Sequence, residues 1–333
     1  MKLQKYKYFF NKVAVFINSN SANYWNTITV CNIKSKPVKL GDYYLDFSSK
    51  SEYNGKLDEN EIPLYRLGSG DYFYHPIVIC QYALGLFQKL LDGQNNSEIY
   101  KKRFLRQADW LIENIEEKDG MFGWLVKYDI DDFDVKAPWF SSMAQGEAIS
   151  VLMRAHLLTG KEEYIQLARK ALDIFEHSIV EGGIVSTFQN YPVYEECPSP
   201  TKPMAVLNGF IFSLYGLYDL LIGIGDERAN KLFERGIDSL SNILYLYDLK
   251  YWSQYYLYDY PKSYPASFTY HMLAVEQLKT LHILTGRDIF LEYSNRWKYQ
   301  SENIICKLRA LLAKLLFAHK FNWTDVNKSK SRN

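Results

Sequence analysis

Paired cysteines, long apolar runs and a surplus of either charge are all missing from this sequence. Its four cysteines, Cys31, Cys80, Cys197 and Cys306, lie far apart with no CxxC or Cys/His ligand spacing. That excludes a disulfide framework and a zinc ribbon, and makes reduced thiols in a cytoplasmic setting the expectation. The formal charge is +1, so no global field draws the chain to nucleic acid. One basic run, Lys328-Ser329-Lys330-Ser331-Arg332, reads as a disordered tail over 321–333. No GxGxxG or P-loop glycine pattern appears, so no nucleotide cofactor is expected. Nor does any Cys, His or carboxylate cluster suggest a metal. Near the start, the apolar patch Val13 to Ile17 is short, follows Asn11 and Lys12, and precedes no small-residue cleavage site. Neither a signal peptide nor a membrane span is expected from it.

What is present is aromatic. The chain carries 28 tyrosines and 19 phenylalanines, and aromatic residues make up 16% of it. Tyrosine joins a flat apolar face to a hydroxyl, which suits a carbohydrate groove as well as a core. Residues 1–70 lack helical periodicity; Thr27-Ile28-Thr29-Val30 and Tyr43 to Phe47 read as strands of a small β-containing N-terminal region. From about 71 to 320 the pattern is helical, with helices expected near 76–92, 99–116, 142–159, 161–178, 206–223, 226–244, 267–285 and 287–317.

These helices form four pairs joined by short polar links, two of which share a Leu-Thr-Gly-basic signature, Leu158 to Lys161 and Leu284 to Arg287. Repeated hairpins predict a mainly α fold, an α/α toroid with β-hairpin insertions. The remaining links, roughly 117–141, 179–205 and 245–266, are long and must collect at one end of an up-down array. They bring Trp124, Trp139, Tyr191, Tyr194, Trp252, Tyr255, Tyr256, Tyr258, Tyr260 and Tyr264 to that end. Function is expected there.

Several blocks within 65–300, in order, resemble the glucuronyl C5-epimerase family. They are Tyr72-Phe73-Tyr74-His75-Pro76 before Gln81-Tyr82; Pro138-Trp139-Phe140 through Ala144-Gln145-Gly146; Tyr194-Glu195-Glu196-Cys197-Pro198; Leu207-Asn208-Gly209; Trp252-Ser253-Gln254-Tyr255; and Tyr270-His271, with Arg296-Trp297 following. The resemblance implies a toroid behind a β-rich N-terminal part, acting on glucuronate in heparosan-like polysaccharides. Animal members are Golgi membrane proteins that act on N-sulfated, heparan sulfate-type chains. No anchor is read here, so location and sulfation do not carry over.

Such an enzyme inverts C5 of D-glucuronate to L-iduronate. The C5–H lies α to a carboxylate, so a base must take it while the enolate-like dianion is stabilised, and an acid must return a proton on the other face. The resemblance implies that Tyr255 and Tyr270 are catalytic and that Glu196 is the functional carboxylate. Each tyrosine also reads as a stacking residue, and Glu196 as an exposed loop acid beside Glu195. A protonated Glu196 would donate to the substrate carboxylate. Cys197 departs from the pattern, because the family motif carries a tyrosine there that is itself proposed as catalytic. A thiol is more acidic than a phenol but shorter in reach, so Cys197 is either a working group or a tolerated replacement.

Substrate contacts are expected from Asn208, His271, Tyr74, Arg66, Trp139 and Tyr194. The alternatives are a helix-opening role for Asn208, structural imidazoles at His75 and His271, and a surface ion pair at Arg66. Polysaccharide lyase chemistry shares the first step and stays open, as does a glycan-binding protein that has lost activity. A glycoside hydrolase would need two carboxylates from Glu195, Glu196, Asp131 and Asp132. A uronate-containing polysaccharide is the expected partner, and a homodimer remains open.

Overall fold

The computed structural model describes residues 29–67, 70–93, 96–258 and 264–316. Outside that range fall Thr27 and Ile28 of the first expected strand, the start of the chain, Tyr260 and the tail beyond 316.

The fold is mainly helical and is built from consecutive hairpins. They are α1 (Pro76–Leu91) with α2 (Ser97–Glu113), α3 (Ser142–Thr159) with α4 (Glu162–Lys170), α5 (Leu207–Ile224) with α6 (Glu227–Ile243), and α7 (Phe268–Thr285) with α8 (Asp288–Glu302). The first member of each pair also packs on the next first member, α1 on α3, α3 on α5 and α5 on α7. Burial follows that arrangement. In α3 every residue from Ser142 to Ala155 is buried, and in α5 every residue from Leu207 to Leu220. Their partners α4 and α6 bury one face. Among the described residues α5 is long and apolar enough to cross a membrane, yet 78% of it is buried within the fold.

Local chemistry explains the boundaries. Pro76 opens α1 at a position where its missing N–H costs nothing. Ser141 and Ser267 cap α3 and α7 by accepting from the amides of Ala144 and Tyr270. The repeated Leu-Thr-Gly-basic links are built alike. Thr159 and Thr285 each donate back to the carbonyl four residues earlier and accept from the basic residue's amide, and Gly160 and Gly286 take the left-handed conformation.

Two expected helices are shorter than their periodicity suggests. The one at 161–178 stops at Lys170 and continues as short 3₁₀ turns. The one at 287–317 breaks at Asn303, which is extended (ψ 119°) and caps a further helix, 304–316, by accepting from the amides of Ile305 and Cys306.

The expected β-containing region proves to be a three-stranded antiparallel sheet: β1 (Lys56–Leu57), β2 (Pro63–Arg66) and β3 (Tyr72–Tyr74). It crosses the expected boundary at residue 70. Tyr43 to Phe47 is not a strand; one isolated bridge, Cys31 to Leu45, holds an extended segment. That segment is buried against the inner helices. Gln88 of α1 accepts from the Phe47 amide and donates to the Leu45 carbonyl, while Tyr43 and Tyr44 face Arg154 of α3 and Tyr215 of α5. Arg154 and Asp219, both fully buried, pair through two hydrogen bonds of 2.7 and 3.3 Å. Tyr44 donates to the same carboxylate at 2.6 Å, and Arg154 donates to the Asp42 carbonyl.

Two of the three long links carry hairpins: β4 (Glu116–Lys118) with β5 (Met121–Gly123), β6 (Leu125–Val126) with β7 (Trp139–Phe140), and β8 (Val185–Phe188) with β9 (Tyr191–Tyr194). The inner helices α1, α3, α5 and α7 all begin at the end where these links gather.

Candidate active site

A cavity of about 320 Å³ opens at the N-terminal ends of the four inner helices. Each contributes early residues: His75, Ile77 and Gln81 around α1, Ser141 and Met143 at α3, Asn208 and Phe212 of α5, and Tyr270 and Leu273 of α7. The links supply Tyr128, Trp139, Glu196 and Cys197; the N-terminal region supplies Thr29, Phe47, Lys50 and Tyr65. The positive ends of four helix dipoles therefore converge on this space.

Adjacent glutamates part company here. Glu195 is fully buried and turned into the protein, where it accepts from Ser186 and from the amides of Met204 and Ala205. It thereby holds the chain entering α5, with Ala205 at φ 47°. Glu196 points the other way and lines the cavity. Asn208 Nδ2 donates to its Oε2 at 3.3 Å, and Gly209, lacking a Cβ, lets the carboxylate lie against the start of α5. Burial pushes Glu196 up to about 7, the Glu195 charge adds to that, and the Asn208 hydrogen bond opposes it.

Tyr270 lines the cavity from the first turn of α7, and Tyr255 stands beside it. Their ring centroids are 4.8 Å apart and the planes meet at 65°. Burial raises Tyr270, the Glu196 charge raises it further, and the neighbouring Tyr255 hydroxyl works in the opposite direction. Tyr255 is raised well above its ordinary value, first by burial and then by Tyr270 and Glu196.

Cys197 touches the Trp139 cluster on one side and the Tyr255–Tyr256 cluster on the other. Burial, with the charges of Glu196 and Glu195 beside it, pushes the thiol well up and keeps it protonated. Trp139 lines the wall, its indole donating to the Tyr128 carbonyl.

Four expected contacts lie elsewhere. His271 is fully buried, stacked on Trp252 at 3.7 Å, with Nδ1 on Ser253 and Nε2 on the Trp297 carbonyl. Burial lowers it to about 3, so it is a neutral core imidazole. Tyr194 is buried too; it donates to the Leu232 carbonyl and accepts from Arg235. Tyr74 is exposed and donates to Asp58. Arg66 is exposed on β2, bonded to the Gly70 carbonyl beside the Tyr72 ring. Strand alternation turns these residues away while their neighbour Tyr65 faces the cavity.

Lys50 was not expected. It sits in a 3₁₀ turn (Ser48–Ser51), is 4% exposed and lines the cavity. Burial lowers its pKa to about 8, with Glu147 behind it acting the other way. Glu147 accepts from Gln81 at 3.0 Å, and burial raises it well above the carboxylate range. Nothing local in the sequence marks Lys50, because tertiary packing alone carries the N-terminal segment into the core. Tyr128 and Tyr65 were likewise passed over among many tyrosines. Among the described residues no three His, Cys, Asp or Glu side chains group as a metal site.

Residues 116–299 match the family described as D-glucuronyl C5-epimerase C-terminus, more than half of the chain. The D-glucuronyl C5-epimerase of Caenorhabditis elegans is 33% identical over 219 residues, which cover 60% of this chain and 35% of that protein. The chain thus matches about a third of the length of the worm enzyme. An uncharacterized protein of Methanocaldococcus jannaschii is 27% identical over 223 residues, 63% of this chain and 71% of its own. Among solved structures, cellobiose 2-epimerase of Spirochaeta thermophila superposes with a TM-score of 0.49 at 10% identity, over 71% of this chain and 63% of that one.

Proposed function

The chain belongs to the D-glucuronyl C5-epimerase C-terminus family, and from that premise we propose that it converts D-glucuronate to L-iduronate within a heparosan-like polysaccharide. The observation that carries this reading is one cavity holding three chemistries. Tyr270, with Tyr255 packed against it, exchanges a proton; Glu196, poised near neutrality, donates to the substrate; and Lys50 meets the substrate carboxylate.

The roles follow from the charge that develops. The uronate carboxylate enters beside Lys50 and the helix N-termini. Asn208 holds Glu196 so that its protonated form donates to that carboxylate as C5–H is removed and negative charge moves onto it. Tyr270 takes the proton as a phenolate, from the first turn of α7 with the Tyr255 ring against its own. A cavity of this size is at the small end of ligand pockets, roughly 300–1,000 Å³, so it takes the reacting sugar and leaves its neighbours outside. The order of the inner helices, each backed by its own partner, supports an α/α toroid entered at the end where they begin.

The hydrolase reading loses support, because among the described residues Glu196 is the one carboxylate on the cavity wall, Glu195 being turned inward and Asp131 paired with Lys136 on the surface. Incubation with heparosan in deuterated water tests the proposal. Deuterium at C5, iduronate by NMR and unchanged chain length are expected. Shortened chains with an ultraviolet-absorbing unsaturated end would give the assignment to a lyase. An unchanged polymer would overturn the reading.

A further inference from the structure

Of the paired phenols, Tyr270 lines the cavity and Tyr255 packs against its ring, the centroids 4.8 Å apart. A group that exchanges a proton with carbon must lie within about 2.6–3.2 Å of it. Two groups serving opposite faces of one carbon are therefore about 5–6 Å apart, one on each side. Phenols packed ring against ring stand on one side of the cavity, so the other face of C5 needs a separate group.

Tyr128 supplies one. It follows β6, lines the cavity, and belongs to the wall built by the start of α1 and the β6–β7 link, whereas Tyr270 opens α7, the last inner helix. Its ring lies among Phe73, His75 and Trp139, at centroid distances of 5.3, 5.7 and 6.1 Å. Trp139 holds its backbone by donating to the Tyr128 carbonyl at 2.8 Å. His75 Nε2 lies 3.1 Å from the phenol oxygen. His75 is 4% exposed, and burial lowers it to about 4, so the imidazole is neutral. Cys197 packs with the cluster that holds Tyr128 and Trp139 on one side and with the cluster that holds Tyr255 and Tyr256 on the other, so it lies between the two walls.

We propose that Tyr128 exchanges the proton on the face of C5 opposite Tyr270, with His75 as its positioning residue; this rests on the epimerase reading above. In one direction the Tyr270 phenolate takes the C5 proton, and the C–H electron pair becomes the enolate-like dianion. The Tyr128 hydroxyl then gives its proton to the opposite face, forming the new C5–H bond and leaving a phenolate. The imidazole tautomer with its proton on Nε2 donates to that phenolate. Water returns a proton to Tyr128 and accepts one from Tyr270, so the cycle closes without a further reactant. In the reverse direction the two phenols exchange roles.

The test separates exchange from inversion. Full-length wild type, Tyr128→Phe and Tyr270→Phe are each incubated in deuterated water with heparosan and, separately, with an iduronate-containing polymer. Circular dichroism confirms the fold. Tyr128→Phe should lose inversion by ~10²–10⁴ with both polymers, yet still wash deuterium into C5 of one of them without inverting it. Tyr270→Phe should show the complementary pattern with the other polymer. His75→Gln, which keeps an N–H donor, should retain more inversion than His75→Phe at unchanged KM. Inversion at the wild-type rate in Tyr128→Phe would overturn the assignment, and so would loss of exchange from both polymers. Wild type that neither exchanges nor inverts would overturn the epimerase reading and this assignment with it.

Discussion

Tyr255 and Tyr270 meet edge to face, their ring centroids 4.8 Å apart, although one comes from a link and the other from the first turn of α7. The Ser267 cap fixes that turn, and backbone bonds from Tyr255 to Tyr264 and from Leu207 to Tyr255 fix the link. Both hydroxyls consequently reach the same end of the helical layer.

Removing either hydroxyl should leave the fold intact and slow turnover. Tyr270→Phe is expected to reduce kcat by ~10²–10⁴. Tyr255→Phe should cost less, because Tyr255 acts through Tyr270, whose ring it packs against. Steady-state rates of iduronate formation check the order, and equal losses would put Tyr255 in direct contact with C5.

Lys50→Met should raise KM for a uronate polymer about tenfold or more, the equivalent of ~1.4 kcal/mol or above. A substrate whose carboxyl is reduced to an alcohol should lose this dependence. Burial holds Lys50 at about 8, so it is charged below that pH and neutral above. Wild-type KM should climb as pH passes 8, while Lys50→Met stays flat. Parallel profiles would remove Lys50 from substrate binding.

Glu196 titrates in the opposite sense to an ordinary salt-bridged carboxylate. Its folded value, about 7, lies above the usual range, so folding favours the neutral form. Stability linked to this group is fully present at low pH and declines as pH rises from the ordinary carboxylate range through 7. Glu196→Gln should therefore be more stable than wild type at pH 8, on the order of 1–3 kcal/mol, with the gap closing by pH 4. Melting temperature against pH reads this directly. The same variant should lose activity if Glu196 must give up its proton during the cycle.

Arg154→Met should destabilise the protein by ~3–5 kcal/mol, because it leaves Asp219 charged and buried. Replacing both partners, Arg154→Met with Asp219→Leu, should recover most of that loss. Denaturant midpoints of the single and double variants would show the coupling. A double variant as unstable as the sum of the singles would argue that Tyr44 and the Asp42 carbonyl, rather than the ion pair, hold this junction.

The sequence by itself determined the helices and their pairing, because local chemistry decides both. Apolar periodicity marks the buried faces, and the Thr-Gly-basic links repeat the same cap at residues 159–161 and 285–287. Motif order, too, pointed to Glu196, Asn208 and Tyr270, which line one cavity, and to Tyr255, which packs against Tyr270. What the tertiary structure decided is direction and company. Glu195 and Glu196 are neighbours in the chain, and only the packing of residues 204–209 turns one inward and the other into the cavity. His271 adjoins Tyr270, yet helical geometry aims the imidazole at Trp252 and the phenol at the site. Lys50 and Tyr128 belong to segments without a periodic signal, and reach the cavity through contacts made far along the chain. Gly146 and Gly216 allow α3 and α5 to approach until a Cβ on either would strike the other helix's backbone. That closeness sets the spacing of the cavity wall, and it is a property of two helices together that neither helix's sequence contains.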